Sequence, residues 1–178
     1  MPGHSTPEIM WAGKYITAKR EGPWEYVSRS RGIRAAVIIA VDESGGDGAH
    51  LVLVEQFRVP VNASVIELPA GLVGDVAGSE EEAMETAARR EMIEETGYQV
   101  AELTPLYEGA ASAGLSNEHI SLFLARGLTK VGPGGGDESE DIRVHEVPCG
   151  ELAGWLDARR REGKVIDIKV YLALPYCS

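Results

Sequence analysis

Apolar positions fall in short blocks along this chain, separated by glycine-rich and charged turns. RAAVIIAV at 34–41 and LVLVEQF at 51–57 are apolar almost throughout, which predicts two buried strands, and the turn-rich ESGGDG at 43–48 joins them. Residues 12–20 and 24–30 predict the two strands of a hairpin turning at Glu21-Gly22-Pro23. A short strand is expected at Val65–Leu68, and further strands at about 100–108, 119–125 and 141–147. VGPGGGDESE at 131–140 has the composition of a mobile loop. ELAGWLDARRREG at 151–163 reads as a helix, with Arg159-Arg160-Arg161 complementing its C-terminal dipole, and 166–174 as a last one. No internal repeat is present. The sum is a mixed sheet with a few helices on one core, an α+β or α/β arrangement.

The helix of greatest interest is predicted over about 80–96. Ser79 with Glu82 three residues on is a capping-box pattern, and Gly97 followed by Tyr98 has the form of a left-handed C-terminal cap with its apolar partner. At roughly 100° per residue, Ala83, Met84, Ala87 and Ala88 cover an arc of about 0–140°. Glu91, Glu94 and Glu95 fall at about 80°, 20° and 120°, within that arc, and Thr86, Arg89 and Ile93 lie opposite. Like charges at these spacings cost a helix roughly 0.2–0.5 kcal/mol per pair. A charge run is usually a solvated face. This one continues a small apolar face that should pack inward, and inward carboxylates need partners. A divalent cation is the economical one, and glutamate oxygens suit Mg²⁺ or Mn²⁺. The stretch has no histidine or cysteine, which argues against zinc.

Composition narrows the classes. A chain of 178 residues, 44% hydrophobic and 25% charged, fits one globular domain with a real core. A net charge of −11 disfavours binding to a nucleic-acid backbone and leaves room for a small phosphorylated substrate whose charge a metal offsets. There is no apolar run long enough to span a membrane and no secretory pattern at MPGHSTPEIM. Cys149 and Cys177 read as ordinary cytoplasmic thiols, since their spacing fits no metal site. The expected location is the cytoplasm.

From Glu82 onward the predicted helix resembles the box of the Nudix hydrolase family, G-x5-E-x7-R-E-U-x-E-E-x-G-U with U bulky and apolar. Glu82, Arg90-Glu91, Met92, Glu94-Glu95, Gly97 and Tyr98 match it. The box's opening glycine would fall at Val76; its equivalent here is Gly71 in ELPAG, with a loop about five residues longer, an insertion that costs little. EQFRVP at 55–60, ELPAG at 67–71, GLSNE at 114–118 and GKYITAKREGPWEYVSR at 13–29 resemble the ADP-ribose and ADP-sugar pyrophosphatase branch. Ala113 stands where that branch usually has proline, which weakens the choice of ADP-ribose over other nucleotide sugars.

The resemblance implies an α/β/α sandwich over 34–178, preceded at 1–33 by strands that serve dimerisation and substrate binding. It implies hydrolysis of a nucleoside diphosphate linked to another moiety, with ADP-ribose or a related ADP-sugar yielding AMP and a sugar phosphate. Glu91 and Glu95 match the family's metal ligands, with Glu94 a third and the Ala70 carbonyl a fourth; the metal is Mg²⁺, with Mn²⁺ an alternative. Arg90 would orient the carboxylates. The general base is Glu118 or, alternatively, Glu140 or its neighbour Glu138. Arg58 matches a phosphate-binding arginine, with Arg29 a weaker candidate. Tyr15 and Trp24 match aromatics that sandwich adenine across a homodimer, and Glu25 would accept a hydrogen bond from the base. Three readings stay open: a nucleotide-sugar pyrophosphatase, a Nudix enzyme for another dinucleotide or a nucleoside triphosphate, and a nucleotide-binding regulator without hydrolysis.

Overall fold

The computed structural model describes residues 6–30, 34–46, 48–73, 83–136 and 140–177. An antiparallel sheet comes first, from β1 (Glu8–Ala12), β2 (Ile16–Glu21) and β3 (Trp24–Arg29), in that order. The hairpin turn at Gly22-Pro23 lies where the sequence places it, with Gly22 at φ 57°. The strand expected at 12–20 starts later, as β2 at Ile16, and an unexpected strand, β1, precedes it across Gly13–Tyr15.

The main sheet has β4 (Arg34–Asp42) at its centre and β5 (His50–Arg58), β6 (Ala63–Glu67), β7 (Ala70–Val73), β8 (Tyr98–Ala110), β9 (His119–Lys130), β10 (Arg143–Pro148) and β11 (Val165–Ile166) around it. β9 runs parallel to β4 along one edge, and β8 closes that side as an antiparallel hairpin with β9. The other edge of β4 is shared. Ala40–Asp42 pair with Val52–His50 of β5, and Arg34–Val37 pair with Val73–Ala70 of β7. β5 has parted from β4 by then and pairs through Val54–Arg58 with β6. The sheet therefore splits into a wedge, and the chain reversal Leu68-Pro69 sits in it. The Ile38 amide donates to the Pro69 carbonyl at 2.9 Å and pins that reversal to β4.

Both faces of the sheet are covered. Val37, Ile39 and Val41 point to one side and pack with Leu152 and Leu156 of helix α2 (Leu152–Arg161) and with Val170 and Ala173. Ala36, Ile38 and Ala40 point to the other and pack with Ala88 of helix α1 (Met84–Glu91) and with Met92. The period of two along β4 thus feeds two apolar layers, and both are needed because β4 is buried on both faces. The result is an α/β/α sandwich, as expected. The segment 166–174, read as a helix, forms β11 at its start and then a 3-10 helix, Ile168–Tyr176, containing Pro175. β7 and β11 carry too few residues for a pattern to show in sequence, and β1 is exposed along its whole length, so no buried face marks it. No helix among the described residues is long and apolar enough to cross a membrane.

Candidate active site

The glutamate-bearing helix departs from a regular α-helix where its charges cluster. α1 ends at Glu91 and continues as a π-helical turn, Met92–Thr96, with Gly97 at φ 74° as its left-handed cap. The Gly97 amide reaches the carbonyls of both Ile93 and Met92. Tyr98 is buried, 5% exposed, as its role beside the cap requires. Ser79 and Glu82, the expected capping box, lie outside the described residues, as does Glu138.

A π-turn closes one residue later than an α-turn, so each residue advances less than about 100°. Glu95 swings further inward and is 4% exposed. Glu94 swings out, its side chain 49% exposed, and pairs with Arg90 at 3.0 Å. The inward placement of Glu94 is therefore corrected: it stands at the rim, outside the cavity that Glu91 and Glu95 line. Among the described residues no group of three acidic, histidine or cysteine side chains stands in metal-holding geometry.

That cavity, about 340 Å³, opens at the wedge between β4 and β5. It brings together Arg29, Arg58, Ala70, Glu91, Glu95, Glu118 and Glu140, all expected from sequence. Glu95 Oε2 accepts from the Ala70 amide at 3.0 Å, tying the helix to β7. Arg90 Nη1 lies 2.9 Å from Glu91 Oε1 and 3.0 Å from Glu94 Oε2, and so bridges the two. Gly71 backs directly onto Glu91: a Cβ there would overlap the glutamate's Cγ and Cδ. Arg58 Nε donates to Glu67 Oε2 at 2.8 Å. Glu118, at the entry to β9, accepts from Arg29 Nε at 2.7 Å.

The first sheet meets the rest of the chain at the same place. The Val27 amide donates to the Leu115 carbonyl at 2.9 Å, and Asn117 donates back to Val27 at 3.3 Å. Tyr15, Trp24 and Glu25 do not reach the cavity; the two aromatics are 69% and 63% exposed. Sequence reasoning passed over three polar lining residues, Gln56, Glu67 and Lys169. Glu67 stands inside ELPAG and was legible as a partner for Arg58. Lys169 carries no local signal; it arrives with the C-terminal segment and pairs with Asp167 at 2.6 Å.

Electrostatics give the cavity its character. Burial pushes the Glu95 carboxyl from its ordinary 4.5 up to about 8, and the charges of Glu91 and Glu140 add to this; the Ala70 amide and Arg58 act against it. Five carboxylates, Glu67, Glu91, Glu95, Glu118 and Glu140, face three basic side chains, Arg29, Arg58 and Lys169. Each of those cations already has an acidic partner. An anionic substrate enters such a cavity only with added positive charge. In chemical kind this oxygen-only donor set suits a hard divalent cation, which would replace the proton that burial favours on Glu95.

This shift has a consequence for stability without metal. Between about pH 4.5 and pH 8 the folded chain keeps a proton on Glu95 that the unfolded chain releases. Stability from this group therefore falls as pH rises through that window and levels off above it. In EDTA, the melting temperature of Glu95→Gln should rise relative to the unsubstituted protein as pH goes from 5 to 8, by the equivalent of a few kcal/mol at most. A constant difference across that range would show that Glu95 titrates normally.

Residues 32–166 match the family profile described as the NUDIX domain. The chain is 31% identical over 143 residues to the ADP-ribose pyrophosphatase of Bacillus subtilis, covering 80% of this chain and 70% of that one. It is 35% identical over 172 residues to the GDP-mannose pyrophosphatase of Cronobacter sakazakii, covering 92% and 80%. It is 32% identical over 143 residues to the methanol dehydrogenase activator of Bacillus methanolicus, covering 80% and 70%. The protein belongs to the Nudix hydrolase family. It is a hydrolase acting on pyrophosphate bonds, in a family that generally uses divalent metals.

Proposed function

We propose that this chain hydrolyses the pyrophosphate bond of a nucleotide sugar, ADP-ribose or a related ADP-sugar, to a nucleoside monophosphate and a sugar phosphate, with Mg²⁺. The observation that carries this is the convergence of Arg29 and Arg58 on the cavity of Glu91 and Glu95. Guanidinium groups match the paired oxygens of a diphosphate, and the carboxylates match its counter-cation. Glu91, Glu95 and the Ala70 carbonyl would hold the metal; Glu94 would join them by turning from Arg90. When bound, the metal neutralises phosphate oxygens and activates water. Arg58, steadied by Glu67, and Arg29, steadied by Glu118, orient the diphosphate.

For the base we favour Glu140 over Glu118. Glu118 holds Arg29 in place, whereas Glu140 faces Glu95 closely enough to raise its pKa. A base must stand within hydrogen-bond reach of the attacking water, and a cation held at Glu95 would supply that water beside Glu140, which lines the same cavity.

The test is a substrate panel of ADP-ribose, GDP-mannose and other nucleotide sugars with Mg²⁺, followed by alkaline phosphatase. Both cleavage products are phosphomonoesters and release inorganic phosphate; the intact substrate does not. Cleavage of nucleoside triphosphates alone would overturn the sugar reading. Tight binding without turnover would point to a regulator.

We further infer a homodimer in the cytoplasm. The first sheet exposes Ile9, Met10, Trp11, Tyr15 and Trp24, between 49% and 69%. A small sheet with that surface needs another to cover it. A partner subunit would bring Tyr15 and Trp24 toward adenine. Stacking of a base on an aromatic ring contributes roughly 1–3 kcal/mol, so Trp24→Ala should raise KM for ADP-ribose about 5–150-fold with kcat less affected. An unchanged KM in a light-scattering dimer would remove the adenine role and keep the assembly. The free thiols of Cys149 and Cys177 suit a reducing compartment, and the net charge of −11 disfavours binding to a nucleic-acid backbone.

A further inference from the structure

The composition of VGPGGG predicts slack chain, yet Val131–Gly136 is tied down by its backbone. The amides of Val131 and Gly132 donate to the Gly97 carbonyl at 2.9 and 3.2 Å. Gly135 donates to the Glu95 carbonyl at 2.8 Å and Gly136 to the Glu94 carbonyl at 3.0 Å. A helix end leaves its last carbonyls without intrahelical donors. Here the carbonyls of the glutamates themselves receive the strap's amides.

Its other side meets the candidate base. Gly136 is packed so closely on Glu140 that a Cβ would overlap Glu140 Oε2, lie 2.8 Å from Glu140 Cβ and lie 3.0 Å from Ile142 Cδ1. The Ile142 amide returns to the Gly135 carbonyl at 3.3 Å, and Ile142 is buried. Gly134, Gly135 and Gly136 stand at φ 70°, 110° and 80°, a left-handed run that side chains rarely tolerate. A Cβ on Gly134 would lie 2.5 Å from the Thr96 carbonyl carbon. Three consecutive glycines are thus what this path requires.

Resting on the assignment of Glu140 above, we propose that Gly134–Gly136 form a strap that sets Glu140 against Glu95, with Gly136 a positioning residue for the hydrolytic step. The strap measures the place of Glu140 from the backbone of the π-turn itself. Any movement of that turn carries Glu140 with it, so the spacing between base and metal-holding carboxylate is kept. Displacement of a reacting group by about 1 Å costs on the order of a hundredfold in rate.

Gly136→Ala should lower kcat for ADP-ribose at least about tenfold and leave KM within about twofold, because the diphosphate-orienting arginines are untouched. In a Glu140→Gln background the same substitution should change kcat less than about twofold. Gly135→Ala, whose Cβ meets only the Ile142 carbonyl oxygen at 3.8 Å, tests the backbone requirement without touching Glu140 and should act the same way. Gly132→Ala, whose Cβ meets nothing within 4 Å, should behave as the unsubstituted protein. Amide hydrogen exchange supplies a readout independent of turnover: Gly135 and Gly136 should be protected, and Gly136→Ala should abolish that protection.

Equal losses in both backgrounds would show that Gly136 acts through something other than Glu140, and an unchanged kcat would deny it any role. Exchange of these amides at open-chain rates would dissolve the strap. Normal turnover by Glu140→Gln would end the positioning role while leaving the hydrolytic reading intact. Failure of the unsubstituted protein to cleave any nucleotide sugar, with the amides protected, would reject that reading and the positioning role and retain the strap as structure.

Discussion

Glu95→Gln and Glu91→Gln should each lower kcat at least about a hundredfold at saturating Mg²⁺, since metal-assisted charge stabilisation is worth several kcal/mol. Both carboxylates line the cavity, together with Ala70 and Arg58. The loss is not a loss of fold. Burial and the charges of Glu91 and Glu140 make an ionised Glu95 costly in the metal-free protein, so a neutral amide at 95 should stabilise it near pH 8. The Ala70 amide constrains this expectation, because glutamine must still present its oxygen there to satisfy it. A variant that melts higher in EDTA and turns over poorly with Mg²⁺ separates the two effects. Near-full turnover by either variant would remove it from the metal set.

Legibility followed how local each signal was. The strands β4 and β5 were plain because their apolar blocks are continuous, and Gly97 was plain because a glycine before an apolar residue marks a helix stop. The side-chain phase of the glutamates was half legible. A fixed step of about 100° places Glu91 and Glu95 correctly and misplaces Glu94, because a π-turn leaves no mark in residue type. Composition made 131–140 look mobile, whereas Val131–Gly136 is held by carbonyls that only the fold brings near. Lys169 and the Arg29–Glu118 pair depend on segments distant in sequence meeting at one cavity. Sequence yields residue types and short spacings; such meetings come from the split of β4 from β5.

Gly71→Ala should cost nearly as much activity as losing Glu91, although the substitution adds one methyl group. β7 brings Gly71 opposite Ala36 in β4, so its backbone is extended and alanine fits the local conformation. The obstruction is the Glu91 side chain, whose Cγ and Cδ occupy the place of the new Cβ. Those atoms end a flexible side chain, so the glutamate can rotate away and the fold survives. Its carboxylate then leaves the cavity wall and the contact with Arg90. Turnover should fall on the order of a hundredfold while thermal stability in EDTA stays within about 1 kcal/mol of the unsubstituted protein. Adding Gly71→Ala to Glu91→Gln should bring little further loss, since both remove the same carboxylate from the same place. Independent, multiplying losses in that double variant would mean that Gly71 serves the site by another route, and full activity in the single variant would mean that Glu91 need not stand where the structure puts it.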